Sequence, residues 1–196
     1  MYEQANIPIH LRKRVNFRLD RSGIDLQSFE RLIDIQNNIS SFVGEGKNLF
    51  IHSNICGNGK TAWSLRLIQN YFLSIWHKSS IDCRALFINV PRYLLAIKDN
   101  IGNINDYAEH IKENLYIADI IIWDDIATKN ITPFEAENLL SILDTRFNMG
   151  KSNIFTSNLS EKELYDCLGS RLASRIIGYS ENIELKGSDK RGVNNR

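Results

Sequence analysis

Cysteine, proline and glycine are all scarce, at 3, 3 and 11 of 196 residues. Cys56, Cys83 and Cys167 are odd in number and far apart, which excludes a disulfide framework and a paired-cysteine zinc site. So little proline and glycine leaves no room for a fibrous repeat or a low-complexity linker. No apolar run approaches the roughly 18 residues of a spanning helix. The opening Met1-Tyr2-Glu3-Gln4-Ala5-Asn6 lacks a basic stretch leading into an apolar one, so a secretory signal is not expected. These absences point to the cytoplasm and away from a membrane. Charge of one sign is lacking too: 24 Lys and Arg stand against 23 Asp and Glu, a net +1, so any basic surface has to be local. His10, His52, His77 and His110 show neither metal-ligand spacing nor a nucleophile partner.

What is present is an ordinary apolar fraction of 43%, enough for a sizeable core, arranged as alternating strand and helix signals. Asn48 to Ser53 reads as a buried strand. A helix follows from Thr61 to Trp76, with Leu65, Ile68, Phe72 and Ile75 recurring on one face. Cys83 to Val90 is a second strand, stopped by Pro91, which opens a helix from Arg92 to Lys98. Ile117 to Trp123 is rich in β-branched residues on both faces, as a covered parallel strand requires. Thr132-Pro133-Phe134-Glu135 is a capping box with proline at the first helical position, opening a helix to about Phe147. Asn153 to Ser157 is a strand. Ser160 and Glu163 repeat the capping box, Gly169 closes that helix, Arg171 to Ile177 is a further helical piece, and Asn182 to Leu185 is a last strand. The pattern predicts a doubly wound α/β domain with a mainly parallel sheet.

Between the first strand and the first helix lies Asn54-Ile55-Cys56-Gly57-Asn58-Gly59-Lys60-Thr61, the Walker A pattern with asparagine in place of the first glycine. Asparagine is the mildest substitute there if the position needs a left-handed backbone. In such a loop, backbone N–H groups and the helix N-terminus cradle phosphates, Lys60 neutralises the β and γ charge and Thr61 ligates Mg²⁺. Ile120-Ile121-Ile122-Trp123-Asp124-Asp125 is a Walker B pattern, with Asp124 holding the metal and Asp125 orienting the attacking water. ATP and Mg²⁺ are therefore the expected cofactors.

Taken together these residues resemble the AAA+ ATPases, specifically the DnaC/DnaI-type replicative helicase loaders and the related IstB transposition helpers, over nearly the whole chain. The resemblance implies a P-loop NTPase of three layers with a short, reduced C-terminal helical region. It implies one unit over 1–196, with 1–47 leading into the core, 48–160 carrying both Walker motifs and sensor 1, and 161–196 carrying the arginine finger and sensor 2. Phe155-Thr156-Ser157-Asn158 is similar to sensor 1, which assigns Asn158. Leu168 to Ile176 resembles the box whose arginine reaches the ATP of a neighbouring subunit, with Arg175 preferred and Arg171 second. Gly187 to Arg191 resembles sensor 2, which assigns Arg191; Ala62 follows the loop at the start of its helix.

The resemblance further implies a DnaB-type replicative helicase as partner, weak and assembly-dependent contact with single-stranded DNA, and self-association through ATP. Only about fifty residues precede the phosphate loop, so a separate N-terminal helicase-binding domain is not expected. Asp125 stands where many AAA+ proteins carry glutamate, and its shorter reach predicts slow turnover. For DNA, the cluster His10 to Arg14 and the residues Arg92, Tyr93, Lys98 and Lys112 are the candidates, with bases stacking on Tyr93. Cys56 in the loop is a candidate exposed thiol, and Arg146 a candidate interface residue. A P-loop kinase fits the length but places its loop nearer the N-terminus; a binding module that hydrolyses little and occupies a helicase or transposase is the third possibility.

Overall fold

A computed structural model describes residues 1–13, 23–78, 82–99, 105–127 and 130–189. Five strands, β1 (Asn48–His52), β2 (Ala85–Asn89), β3 (Ile120–Asp124), β4 (Ser152–Ser157) and β5 (Ser180–Glu184), pair in parallel in the order β2-β3-β4-β1-β5. The central strands β3, β4 and β1 are buried along their whole length because both faces are covered. Leu49, Ile51, Ile120, Ile122 and Ile154 point to one side. Phe50, Ile121, Trp123 and Phe155 point to the other. This is the two-residue alternation of a strand, hidden in the sequence because neither side meets water.

On the first side lie α1 (Leu26–Asn37), α2 (Ile39–Gly44) and α3 (Lys60–Ser74), which contribute Phe29, Leu32, Ile35, Phe42, Trp63, Leu67 and Ile68. On the other lie α4 (Val90–Asp99), α5 (Asp106–Asn114), α6 (Pro133–Asn148), α7 (Glu161–Leu168) and α8 (Ser170–Tyr179). The three-layer α/β architecture is the one the sequence predicts. Both capping boxes form: Thr132 accepts from the Glu135 N–H and Ser160 from the Glu163 N–H, while each glutamate reaches back to its cap. Gly169, at φ 79°, ends α7. Helices α1, α2 and α5 are additions to the sequence reading.

The outer edge of β2 is covered by the N-terminal segment: Phe87 N–H donates to Ala5 O at 2.8 Å and the Asn6 amide donates to Phe87 O at 3.2 Å. That pairing blunts an edge which would otherwise invite another strand. Among the described residues, no helix is long and apolar enough to cross a membrane.

Candidate nucleotide site

The carboxyl ends of β1, β3 and β4 lie side by side, and the crevice outside such ends is where parallel α/β sheets bind ligands. After β1, the chain turns through Ser53 to Gly59 into α3. Gly57 and Gly59 adopt φ of 75° and 110°, angles that side chains disfavour. Asn54 does not: among the described residues only Asn6 and Asp125 are non-glycine residues at positive φ. Asparagine fits at 54 because no left-handed backbone is needed there, which replaces the sequence-based reason for its presence.

The loop closes around the lysine. Lys60 Nζ donates to Ile55 O at 3.0 Å and to Asn58 Oδ1 at 3.3 Å, and Lys60 is only 6% exposed. Asn58 is equally enclosed; its amide donates to Ser53 Oγ at 2.6 Å and to Leu185 O at 3.0 Å. Ile55 N–H donates to Ser53 Oγ. Cys56 is exposed at the loop tip, whereas Cys83 and Cys167 are buried. Thr61 and Ala62 form the first turn of α3.

Thr61 Oγ1 donates to Asp124 Oδ1 at 2.8 Å, joining the loop to the end of β3. Thr156 Oγ1, from β4, donates to the same oxygen at 2.8 Å and accepts from the Asp125 N–H at 3.0 Å. Burial, with Asp125 alongside, pushes the Asp124 carboxyl up to about 6, against the hydrogen bonds of Thr61 and Thr156 and the charge of Lys60. An ionised carboxylate so enclosed is costly without a cation, and a carboxylate and hydroxyl in contact suit a hard divalent ion. Asp125 sits at φ 56°, and Asn158 Nδ2 reaches its Oδ1 at 3.5 Å. Phosphate loop, paired carboxylates and sensor-like asparagine thus converge. The sequence reading places Thr156 in the segment but gives it no role; its hydroxyl, one step past the paired Trp123 and Phe155, ties the end of β4 to both acidic residues.

No protein-family model and no curated protein matches the sequence. Solved structures do match. DnaI aligns with a TM-score of 0.67 at 21% identity over 94% of both chains, and the DnaC helicase loader with 0.66 at 18% over 95% of this chain and all of that one. The chain shares its fold with DnaI and the DnaC helicase loader. The replication initiator DnaA, solved with AMPPCP and single-stranded DNA, aligns with 0.65 at 17% identity over 88% of this chain and 49% of its own.

Not every expected AAA+ position joins the crevice. Arg175 on α8, expected to reach a neighbouring subunit rather than this crevice, pairs with Asp144 on α6, Nε to Oδ1 at 3.2 Å, and donates to the Tyr179 hydroxyl at 3.0 Å. Arg171 is exposed, with no ion-pair partner among the described residues. Arg191 and Arg14 lie outside the described residues. Arg146 is no interface residue: it is 0% exposed and donates to Asn153 Oδ1 and to the carbonyls of Leu115, Ala118 and Ser152. Tyr93 is 4% exposed within the core, so it offers no face for a base to stack on. Arg92 lies over the Tyr107 ring and Lys98 pairs with Glu135, while Lys112, His10 and Lys13 stay exposed. His52 is buried, as expected, and burial lowers its pKa.

Proposed function

We propose that the chain is an ATP-hydrolysing AAA+ protein of DNA replication that loads or recruits a DnaB-type replicative helicase onto single-stranded DNA. The contact between Thr61 and Asp124 carries this reading, because it unites the hydroxyl after the loop lysine with the strand-end carboxylate at the crevice. The fold shared with DnaI and the DnaC helicase loader supports the choice of process.

In this reading the backbone from Asn54 to Gly59, with the N-terminal amides of α3 at Thr61 and Ala62, cradles the phosphates of ATP, and Lys60 leaves its loop acceptors to neutralise them. Thr61 and Asp124 hold Mg²⁺, which supplies charge neutralisation at the transferring phosphate. Asp125 orients the attacking water, Asn158 steadies Asp125 or the γ-phosphate, and Thr156 fixes the Asp124 carboxylate by hydrogen bonding. Arg175 of a neighbouring subunit, with Arg171 second, stabilises the developing charge, and Arg191 is the contact from the same chain. ATP then joins subunits into an assembly, single-stranded DNA is gripped weakly and only by that assembly, and the work is cytoplasmic. Residues 1–196 act as one unit in this reading.

An IstB-like transposition helper ATPase would use the same site chemistry, and a second reading, a weakly hydrolysing module that occupies a replicative helicase, is favoured by the short Asp125 side chain on a left-handed backbone. One pair of measurements tests both. A loader hydrolyses ATP with Mg²⁺, captures a replicative helicase in the presence of ATP, and loses helicase delivery on Lys60→Ala. Delivery that survives Lys60→Ala favours the binding module, and ATP consumption only with an added acceptor sinks both in favour of a kinase.

A further inference from the structure

The chain that leaves β5 runs against the phosphate loop and is fastened there at three points. Leu185 O accepts from Asn58 Nδ2 at 3.0 Å, from within the loop itself. The N–H groups of Lys186 and Gly187 donate to the two oxygens of Asp25, at 2.6 and 2.8 Å, and Asp25 is 3% exposed. Asp25 is the N-cap residue of α1, but its side chain makes no capping hydrogen bond; its carboxylate is turned to this strap. Asp189 completes the contact. A Cβ built on Gly57 would lie 2.0 Å from Asp189 Oδ1 and 2.4 Å from Asp189 Cγ, so the carboxylate fills the space directly against the loop backbone.

We infer that residues 185–189 form an autoinhibitory strap, in which the Asp189 carboxylate lies against the phosphate loop as an internal competitor of nucleotide phosphate. The inference rests on the nucleotide reading above. Carboxylate and phosphate are anions drawn to the same features, backbone amides at a helix N-terminus and a lysine ammonium. At contact with Gly57, Asp189 takes up room and adds negative charge where an incoming nucleotide brings its own.

The strap is also tied to the lysine. Lys60 Nζ donates to Asn58 Oδ1, and the amide nitrogen of that same side chain donates to Leu185 O. A nucleotide that draws Lys60 towards its phosphates withdraws one partner from Asn58, and displacing Asp189 withdraws another hold on the strap. Binding and strap release are then one equilibrium, and the closed state lowers the apparent affinity by the fraction of molecules in it. The Asp25 clamp, made of two hydrogen bonds to a charged and buried acceptor, sets how strongly closure is preferred.

Binding of a fluorescent ATP analogue by the full chain, without hydrolysis, tests this. Wild type is compared with Asp189→Asn, which keeps the shape and removes the charge, and with Asp189→Ala, which removes both. Asp189 is exposed, so both variants fold, and thermal midpoints check it. A strap closed in about nine molecules of ten makes both variants bind about tenfold tighter than wild type. Equal or weaker binding by both overturns the strap. Lys60→Ala separates this failure from that of the parent reading. If Lys60→Ala loses the analogue while the Asp189 variants gain nothing, the strap alone fails; if none of the chains binds it, the nucleotide reading fails.

Discussion

Thr156 Oγ1 donates to Asp124 Oδ1 at 2.8 Å while accepting the Asp125 N–H at 3.0 Å, so one hydroxyl from β4 positions both acidic residues at the end of β3. A side chain that orients a metal-binding carboxylate from behind is worth about 10- to 100-fold in activity or metal affinity. Thr156→Val keeps the shape and deletes both hydrogen bonds. ATP hydrolysis falls by about that factor and the Mg²⁺ concentration for half-maximal rate rises, while analogue binding measured in a chelator stays unchanged. Unaltered Mg²⁺ dependence would remove Thr156 from the site.

Arg146 makes a different prediction, because its four hydrogen bonds are all structural. It ties α6 to the carbonyls before β3 and to Asn153 on β4, whose Oδ1 also accepts from Trp123 Nε1 at 3.1 Å. Burial lowers its pKa to about 9, which still leaves it charged at neutral pH. Arg146→Met strands those acceptors and costs about 3–5 kcal/mol, a fall of roughly 10 °C in Tm by thermal unfolding. Analogue affinity of the folded protein is retained. A loss under about 1 kcal/mol would mean that water replaces the guanidinium.

What a linear reading captures here is whatever neighbours in sequence decide. The strands showed because residues such as Ile120 to Trp123 are buried on both faces, and α6 and α7 showed through the Thr132 and Ser160 capping boxes. The Asn54–Thr61 loop and the acid pair are contiguous patterns, so both can be picked out of the sequence before their contact through Thr61 and Asp124 is seen. Helix α1 is absent from the sequence reading although Phe29, Leu32 and Ile35 recur at three-residue spacing among charged residues, the pattern of an amphipathic helix. Thr156, Arg146 and the contact of Asp189 with Gly57 depend on which strands lie side by side, and no local pattern carries that. Tyr93 misled for the same reason: an aromatic beside cations looks exposed until its partners across the core are known.

Glu135 gives a pH signature. Burial alone would raise its carboxyl, but the Thr132 backbone and hydroxyl and the Lys98 ammonium outweigh that and hold it at about 2, below its ordinary 4.5. A depressed carboxyl stabilises the fold above its unfolded value and loses that contribution as pH falls through its folded value. The stability difference between wild type and Glu135→Gln is therefore full above about pH 4.5 and gone by about pH 2, and at most about 3 kcal/mol. Lys98 is 44% exposed, so solvent screening reduces the share due to the ion pair. Urea unfolding between pH 5 and pH 2 measures it. A difference independent of pH would show that Glu135 acts as a neutral cap.

Arg175 decides whether catalysis is shared between subunits. Its ion pair with Asp144 joins side chains that are 44% and 37% exposed, and exposed pairs are worth only about 0.2–1 kcal/mol. Even with its Tyr179 hydrogen bond, so exposed a hold would let the guanidinium exchange Asp144 for a neighbour's nucleotide if subunits assemble as proposed. Arg175→Ala then binds the ATP analogue normally but hydrolyses about 10³-fold more slowly, the usual cost of losing an arginine finger. Lys60→Ala fails in the complementary way, with its arginine intact and its own site empty. Mixing the two inactive variants pairs intact sites with intact arginines at some interfaces, so hydrolysis returns in part and depends on total protein concentration. If mixed variants that co-assemble by light scattering stay inactive, Arg175 does not act across the interface; Arg171→Ala, run in the same format, shows whether its neighbour does.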